Sequence, residues 1–383
     1  MQLDHLWLTD FRSWARAEVT LTGGLTVIRG SNAVGKTNLL EAIGYLATLS
    51  SFRGAPNEAL VRAGCSQAVV RGEGRRAERD LLVEAEIRVT GRGRVALNRQ
   101  PVRRTAALLD ALRVSVFSPD DLVLVKGPPS HRRRWLDDAL VALHPRNDAI
   151  RRELERVIRQ RTALLGQAGG RPTADVITTL DVWDTKLVEM GEALASARVA
   201  LLRRAEPLVA KAYADLADAQ ASGPLSGVPG PTVTLAYEAP WREQGLAAAL
   251  AEVRTQELRR GVSLVGPHRD DVALSVGGMT ARTKASQGEQ RSLALALRLA
   301  AHLVVTEEVG EPPVLLLDDV FSELDADRSR ALFDLLPPGQ SLLTTAGPVP
   351  EGASPERVLE VVDGVIVERG TGPERPPERS TGR

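Results

Sequence analysis

Gly30-Ser31-Asn32-Ala33-Val34-Gly35-Lys36-Thr37 fits, at every fixed position, the pattern G-x-x-x-x-G-K-[ST] of a backbone loop that wraps phosphate. Glycine at both ends lets the chain curl until successive N–H groups face inward, a concavity that a Cβ would obstruct. Lys36 then offers a point charge to the outer phosphates and Thr37 a hydroxyl ligand for Mg²⁺, with Asn38 closing the candidate nucleotide stretch. The flanks agree with this reading. Leu25-Thr26-Val27-Ile28 is a short β-rich run, and Leu39, Leu40, Ile43 and Leu46 recur at helical spacing, so strand, loop and helix follow in order and the helix N-terminus adds its dipole to the anion site.

With 383 residues the chain has room for two domains, or for one domain carrying a large insertion. Lys+Arg and Asp+Glu both number 49, so no whole-molecule field draws it onto nucleic acid or anionic lipid, and any such contact needs a local patch. Cys65 is the single cysteine, which excludes an internal disulfide framework and a cysteine zinc cluster and suits a reducing cytoplasm. Asp4, His5 and Asp10 interrupt the apolar N-terminus, unlike a signal peptide. The longest apolar run, Leu293 to Val305, is broken by Arg298 and is too short to span a bilayer, so a cytoplasmic protein without membrane attachment is expected.

Residues 1–29 read as two or three strands around the Gly23-Gly24 turn, implying antiparallel pairing beside the loop. Val83, Ala85, Ile87 and Val89 alternate with charged residues in a half-buried strand that turns through Gly91-Arg92-Gly93 into Val95-Ala96-Leu97. From Arg132 to about Gln220 Ala, Leu, Arg and Glu dominate and two or three long helices are expected, followed by a connector, Ser222 to Pro231, that no helix crosses. Thr232 to Tyr237 reads as a strand, Glu243 to Arg260 as a helix, and Gly261 to Asp271 as an apolar run with His268 and Arg269 at its polar end. Asp363-Gly364 turns a terminal hairpin, and the Pro, Glu, Arg, Gly, Ser and Thr tail after Gly370 lacks the means to form a core.

Two further segments complete a candidate site. Val314-Leu315-Leu316-Leu317 is an apolar run ending in Asp318-Asp319, as expected of a buried parallel strand whose carboxyl end faces a ligand. Asp318 is the candidate magnesium carboxylate and Asp319 the group that polarises an attacking water. Ser286-Gln287-Gly288-Glu289-Gln290 opens a helical run with the S-x-x-E capping-box pattern; alone that is a well-capped helix, and beside the loop and the carboxylates it suits a phosphate arriving from outside.

In this order, with Ser322-Glu323-Leu324-Asp325 after the carboxylates, the motifs resemble ABC-type ATPases of the structural-maintenance and Rad50 group, and within it the RecF family. Phe117 to Leu122 with Lys126-Gly127-Pro128, and Gly266 to Asp271, resemble two further signatures of that family. The resemblance implies an α/β fold: an ABC-type P-loop ATPase head with a mixed sheet, flanking helices and an antiparallel β subdomain, plus an inserted helical arm. Residues 1–130 and 261–370 would form the head, 131–260 the arm and 371–383 a disordered tail. It makes Gly30 to Thr37 the Walker A loop, Asp318 the Walker B carboxylate, Asp319 the catalytic carboxylate alongside Lys36, and Ser322 to Asp325 the D-loop. Ser286 to Gln290 become a signature segment contacting ATP held by a second copy. It further implies ATP and Mg²⁺ as cofactors, an ATP-dependent homodimer that clamps DNA at single-strand junctions and gaps, and slow, DNA-stimulated hydrolysis that resets the clamp. Mediator proteins of the RecO and RecR type, recombinase loading, replication-fork recovery and SOS induction belong to the same expectation.

Two departures stand out. Ala33 occupies a position where the family commonly has glycine, comfortable only if its φ is negative. Thr345 is followed by Ala346-Gly347-Pro348 without the phosphate-sensing histidine of transporter ATPases, which weakens the alternative of a transporter's nucleotide-binding subunit. A non-hydrolysing, ATP-bridged clamp is the other alternative. For DNA contact the candidates are Arg132, Arg133, Arg134, Arg152, Arg156 and Arg159, the last three on one helical face. Glu153 and Glu155 intervene and Arg151 can pair with Glu155, so the residues alone favour a salt-bridged, solvated face; the resemblance is what turns the reading towards DNA.

Overall fold

The computed structural model describes residues 1–77, 79–102, 105–218 and 232–370; the expected connector and tail lie outside them. Packing divides the chain into two units, Met1–Pro101 with Val314–Leu324 and Pro338–Arg383, and Val102–Pro313 with Asp325–Pro337.

In the first unit Gln2–Phe11 lies between Trp14–Thr20 and Gln67–Arg76, all antiparallel, and the sheet continues through Arg79–Arg88, Val95–Leu97 and Gln100–Pro101. Alternation decides which face is buried: Leu81, Val83, Ala85 and Ile87 point inward, while Leu82, Glu84 and Glu86 between them are half-buried. The second sheet of this unit carries Arg357–Val362, Leu25–Arg29, Ser341–Thr345 and Val314–Asp318 side by side and parallel, edged by antiparallel Val365–Arg369. Burial does not alternate along its middle strands, as expected where both faces are covered; all of Val314–Asp318 and of Ser341–Thr345 is buried. The hairpin across Asp363-Gly364 forms as its two-residue turn requires, with Val362 opposite Val365.

The turn at Gly23-Gly24 does not pair its flanking strands. Trp14–Thr20 belongs to the antiparallel sheet and Leu25–Arg29 to the parallel one, so the chain changes sheet there. Gln2–Phe11 already has both neighbours, whereas Leu25 and Thr26 find parallel partners in Ser341 and Arg357. Close by, buried Gln340 joins the two sheets: its Oε1 accepts from the Leu3 N–H at 2.7 Å, and its Nε2 donates to the carbonyls of Leu3 at 2.6 Å and Thr22 at 2.7 Å.

The second unit is mainly helical. Pro129–Leu143, Arg146–Ala168 and the 45-residue Ala174–Asp218, which contains Pro207, are the expected long helices, joined by Leu246–Arg260, Gln287–Val309 and Ala326–Leu335. A small sheet orders Met279–Thr280, Asp271–Val276 and Val233–Glu238. No strand forms over Val262 to Val265, since the strand begins only at Asp271 and His268 and Arg269 precede it. Arg269 donates twice to the Ser263 carbonyl, at 3.1 and 2.8 Å, and burial pushes the His268 imidazole down to about 4, so both serve local packing. Arg161, fully buried, ties three helices: it donates to Asp184 at 2.5 Å, to both oxygens of Glu257 and to Ser263 Oγ at 2.9 Å. Gln287–Val309 falls in this unit, although the sequence placed it with the head; its near-continuous Leu and Ala surface is buried on most sides.

Candidate functional site

The glycine loop adopts the expected cradle. Gly30 has φ 152° and Gly35 φ 105°, and a Cβ on Gly35 would lie 2.7 Å from Ser13 Oγ and 3.0 Å from Trp14 Nε1. Ser31, Asn32 and Ala33 are exposed at the crest, while Gly35 and Lys36 are buried. Helix Lys36–Thr48 opens directly from the loop and buries Leu39, Leu40, Ile43 and Leu46, the face its periodicity prescribed. Lys36 Nζ donates to the carbonyls of Gly30 and Ser31, both at 2.8 Å, which holds the ammonium across the mouth of the cradle. Burial pulls the Lys36 pKa down while the Asp319 and Asp318 carboxylates push it back. Ala33 departs from expectation: its φ is 68°, the left-handed region in which an L-residue is strained.

Asp318 closes the floor. Its Oδ1 accepts from the Thr37 hydroxyl at 2.7 Å and from the Thr344 hydroxyl at 2.8 Å, so adjacent parallel strands and the loop helix converge on one buried carboxylate. Burial raises its pKa, partly offset by those two hydroxyls and by Arg53. Asp319 takes φ 51°, with its N–H donating to Thr344 Oγ1 at 3.0 Å, and its buried Oδ1 has no hydrogen-bond partner among the described residues. A buried carboxylate oxygen without a side-chain or backbone partner beside such a pair can accept from a water or a cation's shell. Ser322 Oγ donates to the Asp319 carbonyl at 2.8 Å, within the turn Val320–Glu323 that continues to Leu324. Asn38 turns aside from the loop: its amide donates to Ser13 Oγ at 2.9 Å. Trp14 and Thr344 escaped the sequence reading. Trp14 Nε1 donates to the Gly35 carbonyl at 3.1 Å, and a tryptophan that opens a strand carries no local sign of that contact.

In the second unit Ser286 caps Gln287–Val309: its Oγ accepts from the Glu289 N–H at 3.3 Å, and Glu289 Oε2 accepts from the Ser286 N–H at 2.7 Å. Gln290 donates to the carbonyls of Ala281 and Arg282 at 3.0 and 3.2 Å. Asp325 caps Ala326–Leu335, its Oδ1 accepting from the Arg328 N–H at 2.8 Å.

The arginine candidates part company. Arg132 is withdrawn as a DNA contact: 5% exposed, it forks onto Asp271 at 2.7 and 2.9 Å and donates to the carbonyls of Leu124 and Gly127. Arg133 is half-buried and donates to the Asp270 carbonyl at 2.7 Å. Arg134 is exposed, 3.6 Å from Asp138. Arg152, Arg156 and Arg159 are exposed on one helix face and pair with Asp148, Glu153 and Glu155 respectively. Arg151 turns to Asp148 and Asp138 instead of Glu155.

Fold and loop together define a P-loop ATPase head of the ABC and structural-maintenance class. Residues 2–342 match the family described as RecF/RecN/SMC N terminal domain. An Smc head solved with the C-winged helix domain of ScpA shares the fold alone, at TM-score 0.58 and 17% identity over 96% of this chain and 98% of that one. Much nearer stands the DNA replication and repair protein RecF of Kineococcus radiotolerans, 45% identical over 97% of this chain and 98% of its own. A solved structure of the recombination mediator protein RecF-ATPrS in the RecFOR pathway superposes with TM-score 0.85 and 27% identity, covering 96% and 98% of the two chains. The chain belongs to the RecF family of DNA replication and repair proteins. No helix among the described residues is long and apolar enough to cross a membrane.

Proposed function

We propose that this chain binds ATP in the Gly30–Thr37 cradle and that two copies close on DNA when each nucleotide is gripped from the other side by Ser286 to Gln290. The observation that carries the reading is the Thr37–Asp318 contact at 2.7 Å, which gathers the loop hydroxyl and the strand-end carboxylate of one unit at one point. The RecF relative solved with ATPrS supports the choice of nucleotide.

The residues fit a magnesium ion. Thr37 and Asp318 would hold it, Asp319 presents an unpaired acceptor alongside, and among the described residues no group of three or more His, Cys, Asp or Glu could hold a metal unaided. That is the donor set of an ion completed by phosphate and water. When bound, the ion would neutralise charge between the outer phosphates. Lys36 leaves the two carbonyls that hold it and turns to phosphate, and Asp319 orients the attacking water. The chemistry is slow because no histidine follows Thr345.

In this reading residues 1–130 and 261–370 act as the head, residues 131–260 as the arm, and Ser322 to Asp325 as the D-loop of the dimer interface. Arg134, Arg152, Arg156 and Arg159 offer phosphate contacts at DNA junctions and gaps once they release their carboxylates, and partners of the RecO and RecR type take part in recombinase loading, fork recovery and the SOS response. The function sits in the cytoplasm. A single-turnover assay tests the enzymatic part: Asp319→Asn should release phosphate far more slowly than wild type, and equal rates would leave ATP as a bridge only.

A further inference from the structure

We propose that Arg328 contacts the terminal phosphate of the nucleotide bound by the second copy, its guanidinium lying against Gly288 in the first turn of the signature helix. The inference rests on the dimer reading above and adds a residue to it. Arg328 is 7% exposed, yet its side chain is poorly matched within the chain. Its guanidinium approaches Asp325 only to 3.8 Å, beyond a hydrogen bond, and Nε has no acceptor among the described residues. A buried cation with so little compensation calls for an anion.

Its position says which anion. A Cβ on Gly288 would lie 2.8 Å from Nη2 and 3.2 Å from Nη1, so the guanidinium fills the space that a side chain at 288 would take. Gly288 belongs to the first turn of a 23-residue helix whose free N–H groups and dipole favour negative charge. The guanidinium of Arg328, with Nε unpaired among the described residues, therefore lies at the first turn of one helix, where a phosphate oxyanion would accept from it. Sequence reasoning stopped at Ser286 because Arg328 lies 42 residues downstream, on another helix.

The test uses full-length protein, a non-hydrolysable ATP analogue and sedimentation velocity. Wild type should dimerise; Arg328→Gln should dimerise at least about tenfold more weakly, as expected for loss of a charged hydrogen bond, and Arg328→Lys should recover part of it. Mixing Arg328→Gln with Lys36→Met decides whether the contact is made across chains. Each variant alone has no complete site, whereas the mixed dimer has one, formed by the loop of the first and the Arg328 of the second. Phosphate release from ATP should reappear on mixing. Arg328→Gln dimerising like wild type, or mixing that restores nothing, overturns the proposal; wild type failing to dimerise overturns the dimer reading beneath it instead. Should Arg328→Gln not fold, Gly288→Ala, whose added Cβ would press on the guanidinium at 2.8 Å, should weaken dimerisation several-fold, and a wild-type value for it refutes the phosphate site.

Discussion

Ala33 sits at φ 68° on the exposed crest of the phosphate loop, and replacing it with glycine should improve the site. An L-residue in left-handed backbone is strained by about 1–2 kcal/mol. Glycine relieves that strain but loses about 0.5–1 kcal/mol more backbone entropy on being ordered. No packing is lost, because the methyl group faces solvent. The difference, about 0.5–1 kcal/mol, corresponds to a two- to five-fold lower Kd where nucleotide binding is what orders the loop. Ala33→Val reverses the sign: a β-branched side chain tolerates positive φ least, and a penalty of about 2 kcal/mol more would weaken binding roughly thirtyfold. Calorimetric titration of both variants with a non-hydrolysable ATP analogue, with Lys36→Met as the blank, gives the ordering Gly, Ala, Val. A glycine variant that binds more weakly than wild type, or a valine variant that matches it, would show that the crest abandons this conformation when phosphate arrives.

Burial holds the His302 imidazole down near pKa 4, with Nδ1 2.8 Å from Ser115 Oγ, against about 6.5 in an unfolded chain. Its contribution is therefore complete above pH 6.5 and lost as pH falls towards 4, about 2–3 kcal/mol by pH 4.5, and urea titrations of His302→Gln should show a flatter slope across that window. Glu257→Gln leaves the fully buried Arg161 underpaired and should lower unfolding stability by about 3–5 kcal/mol, whereas Arg161→Met with Glu257→Leu should regain most of it. Changing Arg152, Arg156 and Arg159 to Glu should cut DNA affinity and flatten its salt dependence in a binding titration; unchanged binding would move the DNA surface elsewhere.

Legibility followed the range of the interaction. The phosphate loop, its flanking strand and helix, the capping box at Ser286 and the hairpin turn at Asp363-Gly364 are written in a few consecutive residues, and they formed as read. Gly23-Gly24 was misread because alternation marks a strand without naming its partner; pairing was decided by Ser341 and Arg357, more than 300 residues away. Arg132 looked like surface charge because its partner, Asp271, is 139 residues distant. Thr344 was passed over for the same reason: a threonine at the end of a buried strand declares its hydroxyl only when the neighbouring strand sets Asp318 beside it. The positive φ of Ala33 had a sequence sign in the glycine expected there, but backbone geometry was needed to show that the strain is borne and not avoided.

Gln340 shows how narrow a structural hinge pin can be. One primary amide plays the part of a peptide group, donor and acceptor at once, between strands that never pair. Glutamate has nearly the same outline but would turn an acceptor towards the backbone oxygens of Leu3 and Thr22, so this locus is closed to its own isostere. The antiparallel layer is thereby tied, through one side chain, to the sheet that carries Leu25–Arg29 and the glycine loop after it.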